Sequence, residues 1–155
     1  METNIKAYTY KSNLGKRIAA TIIDYGIIML VTYLYIMYYG RENAEGQMQV
    51  EGIATTPLFM FWVTYLVFAE TLFGATLGHH AFYLRVVTSK RDEITFGQAL
   101  KRRLLDPIDL FWGIPAFIAI SKSEKKQRLG DMWAETLVVD TKDPEQYRQP
   151  AVSGN

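Results

Sequence analysis

Cysteine is absent from the 155-residue chain, and histidine occurs only as the adjacent pair His79 and His80. The chain therefore has no disulfide and no thiolate ligand for a metal. Two neighbouring histidines on a helix point about 100° apart and do not suit one metal ion. A net charge of +1 gives no overall attraction to nucleic acid. We expect no metal, no cofactor and no nucleic-acid partner.

Motifs of common enzymes are also missing from the sequence. It contains no glycine-rich phosphate loop, no G-x-S-x-G, no H-E-x-x-H and no recognisable spacing of serine, histidine and an acid. We expect the protein not to be an enzyme.

Long apolar runs dominate what is present. The run 18–39 has Asp24 as its only charge, and the run 53–77 has Glu70 as its only charge. Each reaches the roughly 20 residues that a helix needs to cross a bilayer. The first run is too long for the apolar region of a signal peptide, and no cleavage site of small residues follows it. We predict two membrane-spanning helices.

A third apolar run, 104–121, is interrupted by charges, prolines and a glycine, namely Asp106, Pro107, Asp109, Gly113 and Pro115. A proline removes a backbone donor and leaves a carbonyl that must find another partner in lipid. The run either completes a kinked span or enters the membrane and returns on the same side. We predict an all-α membrane bundle with two full spans and this broken third element.

The positions of the basic residues favour the second topology. If the third run returns, every lysine and arginine except Arg41 lies on one side of the membrane, which is then the cytoplasmic side. The N-terminus lies on that side as well. If the run spans, "KSEKKQR" at 122–128 lies outside.

Two segments between and after these runs predict cytoplasmic structure. "YLRVVTSK" (83–90) and "TLVVDTK" (136–142) are rich in β-branched residues, and we expect them to form a short β-like pair. "TFGQALKRRLLDP" predicts a helix with Thr95 as its cap, lying at the interface with Lys101, Arg102 and Arg103 near anionic headgroups. We divide the chain into a membrane domain, 1–140, and a flexible polar tail, 141–155.

Asp24 is a charged residue inside the first predicted span. Placing an ionisable side chain in a membrane costs free energy, so such a residue usually faces a partner within the protein. Three roles are open for Asp24. It stabilises the packing of helices through hydrogen bonds, it belongs to an ion or proton path, or it contacts a ligand or a lipid headgroup. Arg17 lies seven residues earlier, on nearly the same helix face but too far for easy direct contact. We expect both to face a polar seam whose other candidate members are Glu70, Arg103, Asp106, Asp109, Arg128 and Asp131. Glu70 lies near the cytoplasmic end of its run, where an ordinary interfacial position is expected, and Asp131 either caps a helix after Gly130 or joins the charge cluster.

Taken together, these segments resemble a known family. Arg17, Asp24, "GATLGHHAFYLRVVTSK", "KRRLLDP" and "QRLGDMWAETLVV" are similar in order and spacing to the RDD family of small bacterial multi-pass membrane proteins. The resemblance covers about residues 12–140 and implies that Arg17, Asp24 and Asp131 are the arginine and two aspartates of the family name. This chain has His79 where the family typically has lysine, and Glu135 where it usually has glycine.

The resemblance implies a location in the bacterial inner membrane and a role in transport, since cation and proton exchange has been proposed for family members. We expect transport or support of transport through a cluster of Arg17, Asp24 and Asp131, with Asp24 as the titrating or ion-binding group. Two or three spans from one chain are too few to surround a pathway through the membrane, so conduction would require a homo-oligomer. The alternative is a non-catalytic membrane adaptor that binds a partner complex or anionic lipid.

Overall fold

The computed structural model describes residues 9–111, 120 and 122–147, with only the backbone described for residues 109–111. Helix α1, Leu14–Tyr39, contains 26 residues and is therefore about 39 Å long. A hairpin of two very short strands, β1 (Arg41–Glu42) and β2 (Met48–Gln49), reverses the chain. Its turn is held by the Asn43 side chain, which accepts hydrogen bonds from the backbone of Glu45 and Gln47.

A second continuous helical segment runs from Gly52 to Phe73. It begins with a 3₁₀ turn, Gly52–Thr55, continues as α2, Thr56–Trp62, widens into a π-helical stretch, Val63–Phe68, and ends as α3, Ala69–Phe73. Gly74 ends it in the left-handed conformation, at φ +69°, which glycine adopts without steric cost. The predicted end at residue 77 is therefore wrong, because Leu77 already belongs to the next helix.

Both α1 and the segment Gly52–Phe73 are long and apolar enough to cross a membrane. Only 11% of the residues in the apolar window of each are buried within the chain. Most of their large apolar side chains are exposed, as the lipid-facing surface of a spanning helix requires. The prediction of a mostly helical protein with two candidate spans is confirmed.

The rest of the described chain consists of short elements packed at one end of the two long helices. They are α4 (Leu77–Ala81), β3 (Leu84–Thr88), α5 (Phe96–Leu104), α6 (Asp106–Phe111), α7 (Leu129–Trp133) and β4 (Thr136–Asp140). Helix α5 begins with a capping box, in which the Thr95 hydroxyl accepts from the backbone of Gln98 and the Gln98 side chain accepts from the backbone of Thr95.

Strands β3 and β4 form an antiparallel pair in which Val86 lies opposite Val138. Because side chains alternate between the two faces of a strand, the pair contributes to two apolar clusters. Val86 and Val138 pack with Ala20 of α1 and Val67 of the second segment, so this sheet is fixed to both long helices. The other face packs Val87, Leu137 and Val139 against Tyr147.

Residues 141–147, the first part of the predicted tail, pack against the N-terminal segment. The backbone amide of Thr9 donates to the carbonyl of Glu145 at 3.0 Å, and Asn13 donates to the Gln146 side chain at 2.7 Å. Gln146 is buried. Residues 148–155 lie outside the described part of the chain, as do 112–119 and 121 of the third apolar run, so the path of that run after α6 is not described.

Candidate functional site: a buried network of arginines and carboxylates

Asp131 lies in the first turn of α7 and is completely buried. Its carboxylate accepts hydrogen bonds from the guanidinium of Arg17, from Arg102 Nε at 3.0 Å and from the backbone amide of Arg128 at 3.2 Å. Burial by itself would raise the pKa of Asp131, but the charges of Arg17, Arg102 and Arg128 outweigh it and hold the pKa well below its usual value. Asp131 is therefore both a cap of α7 and the centre of a charge cluster.

Further ion pairs extend this cluster across the protein. Arg102 Nη1 lies 3.0 Å from Glu70 Oε2, and Arg103 pairs with Glu70 through Nη2 and with Asp106 through Nη1, the latter at 2.9 Å. Arg128 Nη2 lies 3.0 Å from Asp106 Oδ1. We call this set the ionic network; it comprises Arg17, Glu70, Arg102, Arg103, Asp106, Arg128 and Asp131.

The ionic network joins α1, the second helical segment, α5, α6 and α7. It is almost completely shielded from solvent: Glu70, Arg102, Asp106 and Asp131 are all 0% exposed. Tyr25 of α1 donates a further hydrogen bond to Asp106 at 2.9 Å. In such surroundings each charge depends on its partners, because the low dielectric strengthens the attraction and leaves an unpaired charge at high cost.

Glu70 and Arg103 lie in the charge cluster for which both were candidates, and Arg102, which was not a candidate, joins them there. All three side chains are buried in the ionic network, so Arg102 and Arg103 do not lie on the exposed surface that contact with anionic headgroups requires. The reason is the close contact between α5 and α7. A side chain at Gly130 would start 2.7 Å from the carbonyl oxygen of Arg102, so only glycine allows this approach. Lys101 is the exposed member of the three, with Nζ 5.7 Å from the centre of the Trp133 ring.

Asp24 lies in a separate polar pocket between α1, the π-helical stretch and the start of α4. Its Oδ1 accepts from Tyr65 Oη at 2.7 Å and from the backbone amide of Gly78 at 2.8 Å, and its Oδ2 accepts from Thr76 Oγ1 at 2.5 Å. His79 Nδ1 lies 2.9 Å from Thr76 Oγ1 and 3.4 Å from Asp24 Oδ2. Burial lowers the pKa of His79 below its usual value, so the ring is neutral.

The three predicted site residues are thus not in one cluster. Arg17 pairs with Asp131, whereas Asp24 is bound by hydroxyl, amide and imidazole groups around α4. Glu70, Arg103, Asp106 and Arg128 belong to the ionic network, and the side chain of Asp109 lies outside the described residues. Sequence reasoning missed the partners of Asp24, although one signal was present: Thr76 stands three residues before His79, the spacing of a helix cap.

A model described as the RDD family matches residues 11–135, most of the chain. The chain belongs to the RDD family. Comparisons with curated proteins and with solved structures gave no significant match.

At two positions this RDD protein has a residue that differs from the one typical of the family. His79 occupies the position where lysine is typical, and it places a neutral ring instead of a cation beside Asp24. Glu135 stands where glycine is usual and has a φ of +55°, a backbone conformation that costs a residue with a side chain about 1 kcal/mol or more.

Proposed function

We propose that this RDD protein is a non-catalytic, transport-associated assembly subunit of the bacterial inner membrane. The observation that supports this proposal most directly is that both aspartates of the RDD pattern are saturated from within the chain. Asp131 is bound by three arginines, and Asp24 by two hydroxyls and a backbone amide. A cation could bind to either aspartate only by displacing these donors. In an assembly subunit, the same hydrogen bonds and ion pairs would keep the cytoplasmic surface in one conformation.

The arrangement of the spans supports an assembly as well. Two helices alone enclose no interior, and the apolar windows of α1 and the second segment are largely exposed. A path across the membrane would need walls from further helices, supplied by other copies of the chain or by a partner. We therefore propose a homo-oligomer as the functional state.

Contacts between distant segments support a topology with both described ends in the cytoplasm. Thr9 and Lys11 contact Glu145 and Asp143, so these segments lie on the same side of the membrane. Strands β3 and β4 share that side because they pair with each other and lie next to both ends. The β1–β2 hairpin, with Arg41 as its only basic residue, follows α1 and lies opposite. This topology requires the third apolar run, part of which lies outside the described residues, to return to the side from which it starts.

Single cysteines test this topology cleanly because the chain has none of its own. We expect a membrane-impermeant maleimide to label Glu45→Cys in intact cells, and to label Lys90→Cys and Glu145→Cys only after the membrane is permeabilised. All three positions are exposed. Labelling of Glu145→Cys in intact cells would place the end of the chain outside and contradict the proposed topology.

Proton-coupled cation exchange through Asp24 is the second candidate, and one observation favours it. Asp24, Thr76 and His79 form a hydrogen-bonded chain of groups that can exchange protons. These hydrogen bonds connect α1 to α4.

The substitution Asp24→Asn separates the two candidates. Under our proposal, proteoliposomes with the wild-type protein dissipate a pH gradient on addition of Na⁺ or K⁺ no faster than protein-free liposomes. Asp24→Asn then lowers the unfolding temperature, because an amide group faces the donors of Tyr65, Thr76 and Gly78, at a cost of about 1 to 3 kcal/mol. Asp92→Asn, at an exposed position, serves as the control. Cation-dependent dissipation by the wild type that Asp24→Asn abolishes, with the unfolding temperature retained, would establish exchange instead.

A further inference from the structure

An apolar groove runs along the end of the second helical segment that adjoins the short elements. It has a volume of about 470 Å³ and is lined mainly by apolar residues, among them Phe68, Ala69, Leu72, Phe73 and Leu77. Leu72 and Phe73 are 69% and 72% exposed, so the groove is open along its side. Its size lies within the usual range for small-molecule sites.

A polar cavity continues this groove. It has a volume of about 280 Å³, is lined by Tyr83, Arg85, Thr141 and Tyr147, and shares Phe73, Ala75 and His80 with the groove. The shared residues make the two spaces neighbours at the point where the span ends. A ligand that occupied both would be apolar at one end and polar at the other.

The guanidinium of Arg85 is fixed at this junction. A side chain at Gly74 would start 2.7 Å from Arg85 Nε, so the arginine lies directly over the glycine that ends the span. Arg85 Nη1 donates to Tyr147 Oη at 3.1 Å. Arg85 Nη2 lies 3.3 Å from Glu93 Oε1, but the Glu93 side chain is 86% exposed. Because ion pairs in solvent are weak, Glu93 neutralises little of the positive charge of Arg85.

A second cation stands beside the cavity. Lys142 Nζ lies 3.4 Å from the centre of the Tyr83 ring, which itself lines the cavity. Arg85 and Lys142 therefore give the polar end a positive character, next to an apolar groove at the boundary of the membrane. Basic pockets at this depth bind the headgroups of anionic lipids.

We propose that the groove and the cavity together bind one anionic phospholipid of the cytoplasmic leaflet. An acyl chain lies along Leu72 and Phe73, and the phosphate lies near Arg85. This site is distinct from the exposed Lys101 and goes beyond the proposed function, because it holds whether the protein assembles a transporter or conducts ions.

Binding of a tail-labelled phosphatidylglycerol to the full-length protein in detergent tests the site. Arg85→Gln is expected to weaken binding about fivefold, the effect of one basic residue near an anionic surface. Ala69→Phe is expected to weaken it at least about tenfold by filling the groove. Arg41→Gln, at the opposite end of the protein, and Ile22→Phe, on the exposed face of α1, serve as matched controls and leave binding unchanged. Each variant is first compared with the wild type by size-exclusion chromatography.

Four results would overturn the proposal. Phosphatidylcholine that binds as tightly as phosphatidylglycerol would show that the headgroup charge is not recognised. Displacement of the labelled lipid by inorganic phosphate would identify a phosphate site that holds no acyl chain. An Ala69→Phe variant with wild-type affinity would mean that the groove is not used. If Arg41→Gln weakened lipid binding as much as Arg85→Gln does, the loss would come from the lower net charge and not from the site around Arg85.

Discussion

Replacement of Asp131 by alanine is expected to abolish the stable fold. The substitution leaves Arg17 and Arg102 buried without one of their carboxylates, and removal of one partner from a buried ion pair typically costs about 3 to 5 kcal/mol. The upper value equals the lower end of the free energies of unfolding of native proteins, about 5 to 15 kcal/mol. The cost is at the upper end here because Asp131 serves three guanidinium groups and also caps α7.

Thermal unfolding in detergent and the monodisperse fraction in size-exclusion chromatography measure this effect. Asp92→Ala is the matched control, since the Asp92 side chain is exposed and its removal should change either measurement little. Asp131→Asn keeps the size and one acceptor, so it should fall between alanine and the wild type. An Asp131→Ala protein with an unfolding temperature within about 2 °C of the wild type would show that the ionic network does not stabilise the fold.

The sequence predicts the elements of this fold better than their contacts. Apolar runs locate both long helices, and the segment TFGQALKRRLLDP with Thr95 as its cap locates α5. These signals are local. The apolar run does not mark the helix end at Phe73, because it continues through Gly74, the residue that takes the left-handed conformation.

The sequence indicates most members of the ionic network as candidates, but it does not indicate which of three consecutive basic residues is buried. Lys101, Arg102 and Arg103 follow one another, so on a helix they point in directions about 100° apart and cannot all face one environment. Which of them turns inward depends on Glu70 and Asp131, which lie about 30 residues away along the chain and come close only through the packing of α5. Buried charges are rare enough that a run of three basic residues is read as exposed.

The two polar clusters have a common structural consequence. The ionic network fixes α1 to α5 and α7 through Arg17, while the Asp24 pocket fixes α1 to α4 about two helical turns further along. Two attachment points on one helix define its rotation as well as its position. This is the rigidity expected of a subunit whose surfaces must meet a partner in a set orientation.

The substitution Gly78→Ala tests the close contact between α4 and α1. A Cβ at residue 78 would lie 2.2 Å from the carbonyl oxygen of Ala20 and 2.8 Å from the Asp24 carboxylate, and the first of these is backbone that cannot turn aside. Helix α4 would have to move away from α1, which breaks the hydrogen bond from the Gly78 amide and opens the pocket around Asp24. We expect a loss of at least about 3 kcal/mol, the upper range for overpacking combined with a lost buried hydrogen bond.

Gly97→Ala provides the matched control, because residue 97 is also helical and a Cβ there meets nothing within 4 Å. Alanine at that position should stabilise the protein by up to about 1 kcal/mol through its higher helix propensity. The two substitutions add the same methyl group and should move the unfolding temperature in opposite directions. If Gly78→Ala is as stable as the wild type, α4 does not lie against α1 as described, and the hydrogen bonds that saturate Asp24 are not formed; the exchange mechanism would then be the better account of that residue.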